Sequence, residues 1–175
     1  MKYVVVVALS IFMYNNTVAQ NCNYEINEID KFSEEETKLT EALVIARKVK
    51  REGALPLRKV LAQLRKVGNR RTMVLKFPMT MVMSPTFTSN SYSKLVLLLE
   101  NNERITLRLD DLMRNMDDKV ELRYATDFTL KPKDIELLKQ YTITDMRVAM
   151  RSNTFDVKLD QDAARSFREN FHCIE

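Results

Sequence analysis

Residues 94–109 read KLVLLLENNERITLRL, and the fold turns on how they are read. The run Leu95-Val96-Leu97-Leu98-Leu99 meets Glu100-Asn101-Asn102-Glu103, after which Ile105, Leu107 and Leu109 alternate with Arg104, Thr106 and Arg108. A period of two sets the apolar three on one side of a strand and the polar three on the other, the pattern of a strand with one buried face. Asparagine tolerates the left-handed backbone of a tight connection, so Asn101-Asn102 predicts the turn of an antiparallel hairpin.

On either side of this hairpin, similar strand patterns occupy 71–77, 79–87, 120–128, 143–150 and 155–159, with polar residues 151–154 joining the last two as a hairpin loop. Pro78 and Pro85 bracket the second of these; proline gives no amide proton to a ladder, so an edge or a bend is expected there. Helical patterns are few. Pro132, suited to a first helical position, opens a short amphipathic segment with Ile135, Leu137 and Leu138. Asp160 can cap a last helix in which Ala163, Ala164, Phe167 and Phe171 recur at helical spacing. Residues 57–67 are ambiguous. Leu57, Val60, Leu61, Leu64 and Val67 follow a helical period, which by itself favours helix, yet Gly68-Asn69 also reads as a hairpin turn into the strand that follows. No internal repeat or flexible linker interrupts the chain. The expectation is a mainly β, antiparallel β-sandwich-like single domain over 20–175, with a short helix near 132–140 and a C-terminal helix near 161–172.

The 175 residues are 45% hydrophobic and 30% charged, enough apolar surface for a sizeable core and too much for a disordered chain. Glycine occurs only as Gly53 and Gly68, which excludes a Walker loop and a dinucleotide-binding fingerprint, since both need several glycines within a few residues. His172 is the single histidine and argues against histidine-based triads and multi-histidine metal sites. No cofactor is expected.

Residues 1–19 carry Lys2, a 12-residue apolar run from Tyr3 to Tyr14, and the small-residue end Thr17-Val18-Ala19. This is the layout of a secretory signal peptide cleaved after Ala19. The run falls short of the roughly 20 residues that span a bilayer, so a membrane anchor is the weaker reading and no transmembrane segment is expected in the mature chain. Cys22 follows Gln20 and Asn21 rather than the small residues that lipidation requires. Of the 28 basic residues, loss of Lys2 leaves 27 against 24 acidic ones, a net charge of +3, too small by itself to imply a polyanionic partner.

Cys22 and Cys173 stand near the two ends of the mature chain. In an oxidising compartment such a pair predicts a disulfide joining the ends of the domain; two buried free thiols are the alternative. Closing a loop of about 150 residues stabilises by roughly 5 kcal/mol on the chain-entropy argument. A Cys173 nucleophile activated by His172 is disfavoured, because sequence neighbours do not easily face one another.

The mature start, Cys22-Asn23-Tyr24-Glu25 followed by Asn27-Glu28-Ile29-Asp30-Lys31-Phe32, resembles the opening of small exported β-rich proteins of Bacteroidota-type bacteria. The hairpin LVLLLENNERITL, the segment DIELLK followed by ITDMRV, and the ending FHCI are similar to the same group. These matches cover about a third of the chain at scattered positions, and none is a catalytic motif. The resemblance implies an envelope or secreted β-domain with both terminal cysteines, and a strand at 57–67, against the helical period; it implies no activity.

Three constellations are candidates for function. Met79, Met81 and Met83 would share one face of a strand, with Met73 nearby, and thioethers suit Cu(I); an ordinary core filler is the plainer reading. From 47 to 71 there are ten basic residues, Arg47, Lys48, Lys50, Arg51, Arg58, Lys59, Arg65, Lys66, Arg70 and Arg71, against Glu52 alone. Residues 21–41 hold seven acids and only Lys31 and Lys38. The basic tract suits an anionic surface component or an acidic envelope protein, or else is a solvated face partly neutralised by the acidic segment. Nucleic acid is a poor fit, because no aromatic residue lies between Lys48 and Arg71 to stack on bases. Asp110-Asp111 and Asp117-Asp118, around Asn115, offer hard oxygens for Ca²⁺ or an acid–base pair but lack the glycine of a calcium loop, and they read as an exposed turn.

The expected function is therefore non-catalytic: an exported protein of the periplasm, outer membrane or extracellular space that binds an envelope partner through a sheet face or its basic tract. The alternative is a soft-metal binder using Met79, Met81 and Met83.

Overall fold

A computed structural model describes residues 22–47, 59–78, 93–118, 121–149 and 154–175. Among these, ten antiparallel strands run in the order β1(Tyr24–Ile29), β2(Glu36–Thr40), β3(Leu43–Ala46), β4(Val60–Val67), β5(Arg70–Pro78), β6(Lys94–Leu99), β7(Arg104–Asp118), β8(Glu121–Thr129), β9(Ile143–Ala149) and β10(Thr154–Lys158). Helix α1(Pro132–Gln140) precedes β9, and α2(Gln161–Asn170) with a 3-10 turn over Phe171–Ile174 closes the chain. In space the strands lie β1-β2-β4-β5-β8-β7-β6-β9-β10, with β3 paired to β4.

The 94–109 segment forms the hairpin its alternation requires, Leu95 pairing Leu107 and Leu97 pairing Ile105. Asn102 takes the left-handed backbone at φ 66° and donates its amide to Leu99 O at 2.9 Å. The second arm then runs on to Asp118, far past Leu109. Its first part pairs β6, and from Leu109 onward it pairs β8, with register shifts between Leu109 and Asp111 and between Asp111 and Arg114. Such bulges bend a strand and let it pass from one sheet to another. β7 thereby links a large half (β1-β2-β4-β5-β8) to a small half made of its own first part with β6-β9-β10.

One core joins both halves. Leu64, Met73, Leu75, Phe77 and Phe128 from the large half pack in the same cluster as Leu95, Leu97, Leu99, Ile105, Leu107 and Val148 from the small one. Burying each such side chain contributes about 1.5–3 kcal/mol. Helix α2 packs against both β3 and β9 and adds Phe167 and, beyond its end, Phe171, whose rings meet edge to face at 5.2 Å. Asp160 starts this helix by accepting from the amides of Asp162 at 3.1 Å and Ala163 at 3.3 Å. At α1, Pro132 holds the first position and Asp134 accepts from the Lys131 amide at 3.2 Å.

Residues 60–67 are a strand, not the helix that their spacing favours. β4 lies between β2 and β5 and is buried on both faces: Val60, Ala62 and Leu64 enter the core, while Leu61 and Gln63 are covered on the other side. With apolar residues on both faces, the period of two disappears and a helical spacing arises by coincidence. Gly68, at φ +53°, makes the turn into β5; an added Cβ there would lie 3.2 Å from Glu35 Oε1.

Cys22 and Cys173 are joined by a disulfide with Cα atoms 5.7 Å apart. Around it, Tyr24 Oη donates to Cys173 O, Arg71 Nε donates to Ile174 O at 2.8 Å, and Lys66 Nζ donates to Glu175 O at 2.6 Å. Among the described residues, no helix is long and apolar enough to cross a membrane.

Candidate functional site

The small half has an outer face, and strand alternation dictates its contents. Leu95, Leu97, Leu99, Met146, Val148 and Val157 are buried, so their neighbours face outward: Lys94, Val96 and Leu98 on β6, Arg104, Thr106 and Arg108 on β7, Asp145 and Arg147 on β9, Asp156 and Lys158 on β10. Register aligns them in rows. Arg104, Leu98, Asp145 and Lys158 form one row, and Thr106, Val96, Arg147 and Asp156 the next. Arg108, Lys94 and Ala149 complete a third.

The middle of this face is a shallow trough of about 580 Å³ lined by Lys94, Val96, Leu98, Arg104, Asp145, Met146, Arg147 and Asp156. Its floor is apolar, made by the half-buried Val96 and Leu98. Its rim is cationic. Arg147 is engaged by Asp156 through two parallel bonds, Nε to Oδ1 at 2.6 Å and Nη2 to Oδ2 at 2.7 Å. That pairing lowers the Asp156 carboxyl below its ordinary range and raises Arg147. Lys94, Arg104, Arg108 and Lys158 are exposed and make no side-chain ion pair among the described residues. Lys94 and Arg104 line the apolar floor, with Arg108 and Lys158 beside them on the same face, and of the two acids that line the trough only Asp145 lacks an ion pair among the described residues. The result is a surface suited to an anionic group that carries an apolar anchor.

A second polar cluster lies on the non-core face of β4, β5 and β8. Gln63 Nε2 donates to Thr40 O at 2.9 Å and to Glu25 Oε2, Arg65 pairs with Asp127, and Lys76 Nζ lies 3.9 Å from Glu25 Oε2. Gln63, Thr72, Lys76 and Asp127 are all buried. Among the described residues, Gln63 Oε1, Thr72 Oγ1 and Thr126 Oγ1 are buried without a hydrogen-bond partner. Buried charges survive only when paired, so the Arg65–Asp127 and Lys76–Glu25 contacts are parts of the fold.

The basic tract does not form one patch in its described members. Alternation sends Arg65 to the face of Asp127, whereas Lys66 and Arg71 point to the opposite face and hold the C-terminal turn. Lys66 also pairs with Glu36 at 2.8 Å, and Glu36 in turn holds Lys38 at 2.7 Å. The bonds from Lys38 and then Lys66 hold the Glu36 carboxyl down to about 2. Arg47, Lys59 and Arg70 are exposed. Lys48, Lys50, Arg51 and Arg58 lie outside the described residues, as do Met79, Met81 and Met83 and the signal segment 1–19. Met73 is fully buried in the core. Asp110 and Asp111 fall within β7 at its register shift, and Asp117 and Asp118 pair Leu122 and Glu121 at its far end. Among the described residues, no three His, Cys, Asp or Glu side chains gather to hold a metal ion.

The outer-face cations are visible in sequence only as the polar side of one strand, Arg104, Thr106 and Arg108. Lys94, Arg147 and Lys158 join them through strand pairing, which periodicity does not specify.

No protein-family model matches the chain, and no curated protein or solved structure matches it.

Proposed function

We propose that the protein is an exported, disulfide-clasped, non-catalytic binding domain of the bacterial envelope or extracellular space, and that it holds an anionic partner against the outer face of β7-β6-β9-β10. The observation that carries this reading is the trough itself: an apolar floor of Val96 and Leu98 lined by Lys94 and Arg104, with Arg108 and Lys158 beside it on the same face, none of the four in an ion pair among the described residues. Leaving half-buried apolar residues under a cationic rim gains nothing for the isolated fold, whereas a partner can bury the floor and neutralise the rim together. Export is supported by the signal layout of 1–19, by the resemblance of the mature start to exported proteins, and by the disulfide that ties the two ends, a bond that persists in oxidising compartments.

The test is crosslinking in native cells from a photoreactive residue at Thr106, followed by recovery of the tagged protein. The wild type is expected to carry a specific adduct that disappears in Lys94→Glu/Arg104→Glu/Arg108→Glu. Recovery of the uncrosslinked monomer alone, or an adduct indifferent to these reversals, would reject the reading.

A further inference from the structure

The β1–β2 hairpin is the counterpart of the trough in both charge and shape. Among the described residues, the exposed large apolar side chains are Ile26, Ile29 and Phe32, and all three stand on this one hairpin. Phe32, 88% exposed, sits at its tip. The tip is not slack. Asp30 accepts from the Phe32 amide at 2.8 Å, the Ser33 amide at 2.7 Å and the Ser33 hydroxyl at 3.1 Å, while Glu34 donates its amide to Asp30 O at 2.8 Å. An aromatic residue held out on an ordered turn loses little conformational freedom on binding. Around it stand the exposed acids Glu28, Glu34 and Glu35, with Lys31 over the Phe32 ring. The hairpin therefore offers an apolar anchor in an acidic setting, and the trough an apolar floor in a basic one.

The two surfaces stand far apart in strand order, β1-β2 at one end and β6-β9-β10 at the other, and in the free molecule Phe32 is exposed, so the hairpin does not fill its own trough. We infer that the occupant is a second copy of this chain: the β1–β2 hairpin of one molecule docks in the trough of the next, with Phe32 over Val96 and Leu98 and the acids facing Lys94, Arg104 and Arg108. This rests on the binding reading above and names its partner. Because two different patches meet, each docked pair leaves one hairpin and one trough unfilled, and the contact propagates as a head-to-tail chain or ring.

The experiment is sedimentation of the purified, oxidised mature protein over micromolar to submillimolar concentrations at low salt. The mass is expected to grow beyond a dimer and to fall back as salt screens the charges. Glu28→Lys/Phe32→Ala disables the hairpin, and Lys94→Glu/Arg104→Glu disables the trough. Each variant alone is expected to lose association by about thirtyfold or more, as for a central aromatic or charged anchor. All four positions are exposed, and an unchanged urea midpoint confirms that each variant folds. An equimolar mixture of the two variants restores one good contact and is expected to stop at a dimer. A wild type that stays monomeric or stops at a dimer, association that survives either pair of substitutions, or a mixture that stays monomeric would each overturn the inference. In those cases a Thr106 adduct in native cells that is lost on charge reversal would still leave the trough as a docking face for a different partner.

Discussion

The hydroxyl of Tyr24 donates to the carbonyl oxygen of Cys173 at 2.9 Å, so the first strand and the last turn are hydrogen-bonded beside the disulfide that joins Cys173 to Cys22. β1 needs this tether. Beyond Tyr24 its residues are all exposed, so burial contributes little to holding it in place.

Removing the clasp should therefore destabilise the whole domain. Cys22→Ser/Cys173→Ser is expected to lower the unfolding free energy by about 2–5 kcal/mol, and Tyr24→Phe by about 1 kcal/mol. Urea midpoints read both; an unchanged midpoint in the double serine variant would show that the ends are held by other means.

Neighbouring leucines of β6 should behave oppositely. Leu97 is fully buried and Leu98 only half-buried. Leu97→Ala is expected to cost about 2–5 kcal/mol through lost burial and a residual cavity. Leu98→Ala should cost less than about 1 kcal/mol, as expected for an outward position. Equal losses would mean that β6 does not turn Leu97 inward and Leu98 outward.

Asp127→Ala strands the Arg65 guanidinium beside a buried position and is expected to cost about 3 kcal/mol. In a cycle with Arg65→Met, the double variant should lose clearly less than the sum of the two single losses. Simple additivity would show that the two side chains do not act as a pair.

Acid should weaken the fold through Glu36. Its carboxyl lies near 2 when folded against 4.5 as the ordinary value, so the unfolded chain takes up the proton first as pH falls. The contribution is complete above about 4.5 and is lost as pH drops through about 2. Asp156, bonded to Arg147, and Glu175, bonded to Lys139, are lowered too and act in the same direction. Urea midpoints between pH 7 and pH 2 should fall less steeply for Glu36→Gln than for the wild type; identical acid limbs would remove Glu36 from this role.

Much of the fold is legible in local patterns. The 94–109 alternation, Pro132 at the start of α1 and the Asp160 cap of α2 each rest on contacts within a few residues, and sequence carries those directly. β1 and β2 leave no such trace, because most of their residues are exposed or half-buried and charged or polar side chains interrupt any apolar period, while β3 is a four-residue apolar run, Leu43–Ala46, too short to show one. β4 mimics a helical period because it is buried on both faces. The continuation of β7 past Leu109 is set by its partner β8, with two bulges that no spacing rule announces.

By itself, then, the sequence determined that the domain is β-rich, which faces of its clearest strands are apolar, where its two helices start, and which two cysteines were available to close it. Tertiary structure alone decided that Lys94, Arg104, Arg108 and Lys158 share one surface while Arg65 and Lys66, adjacent in the chain, face opposite sides of the sheet. The reason is geometric: alternation is a property of one strand, but a surface is made by the register between strands, and register is fixed by which apolar faces meet in the core.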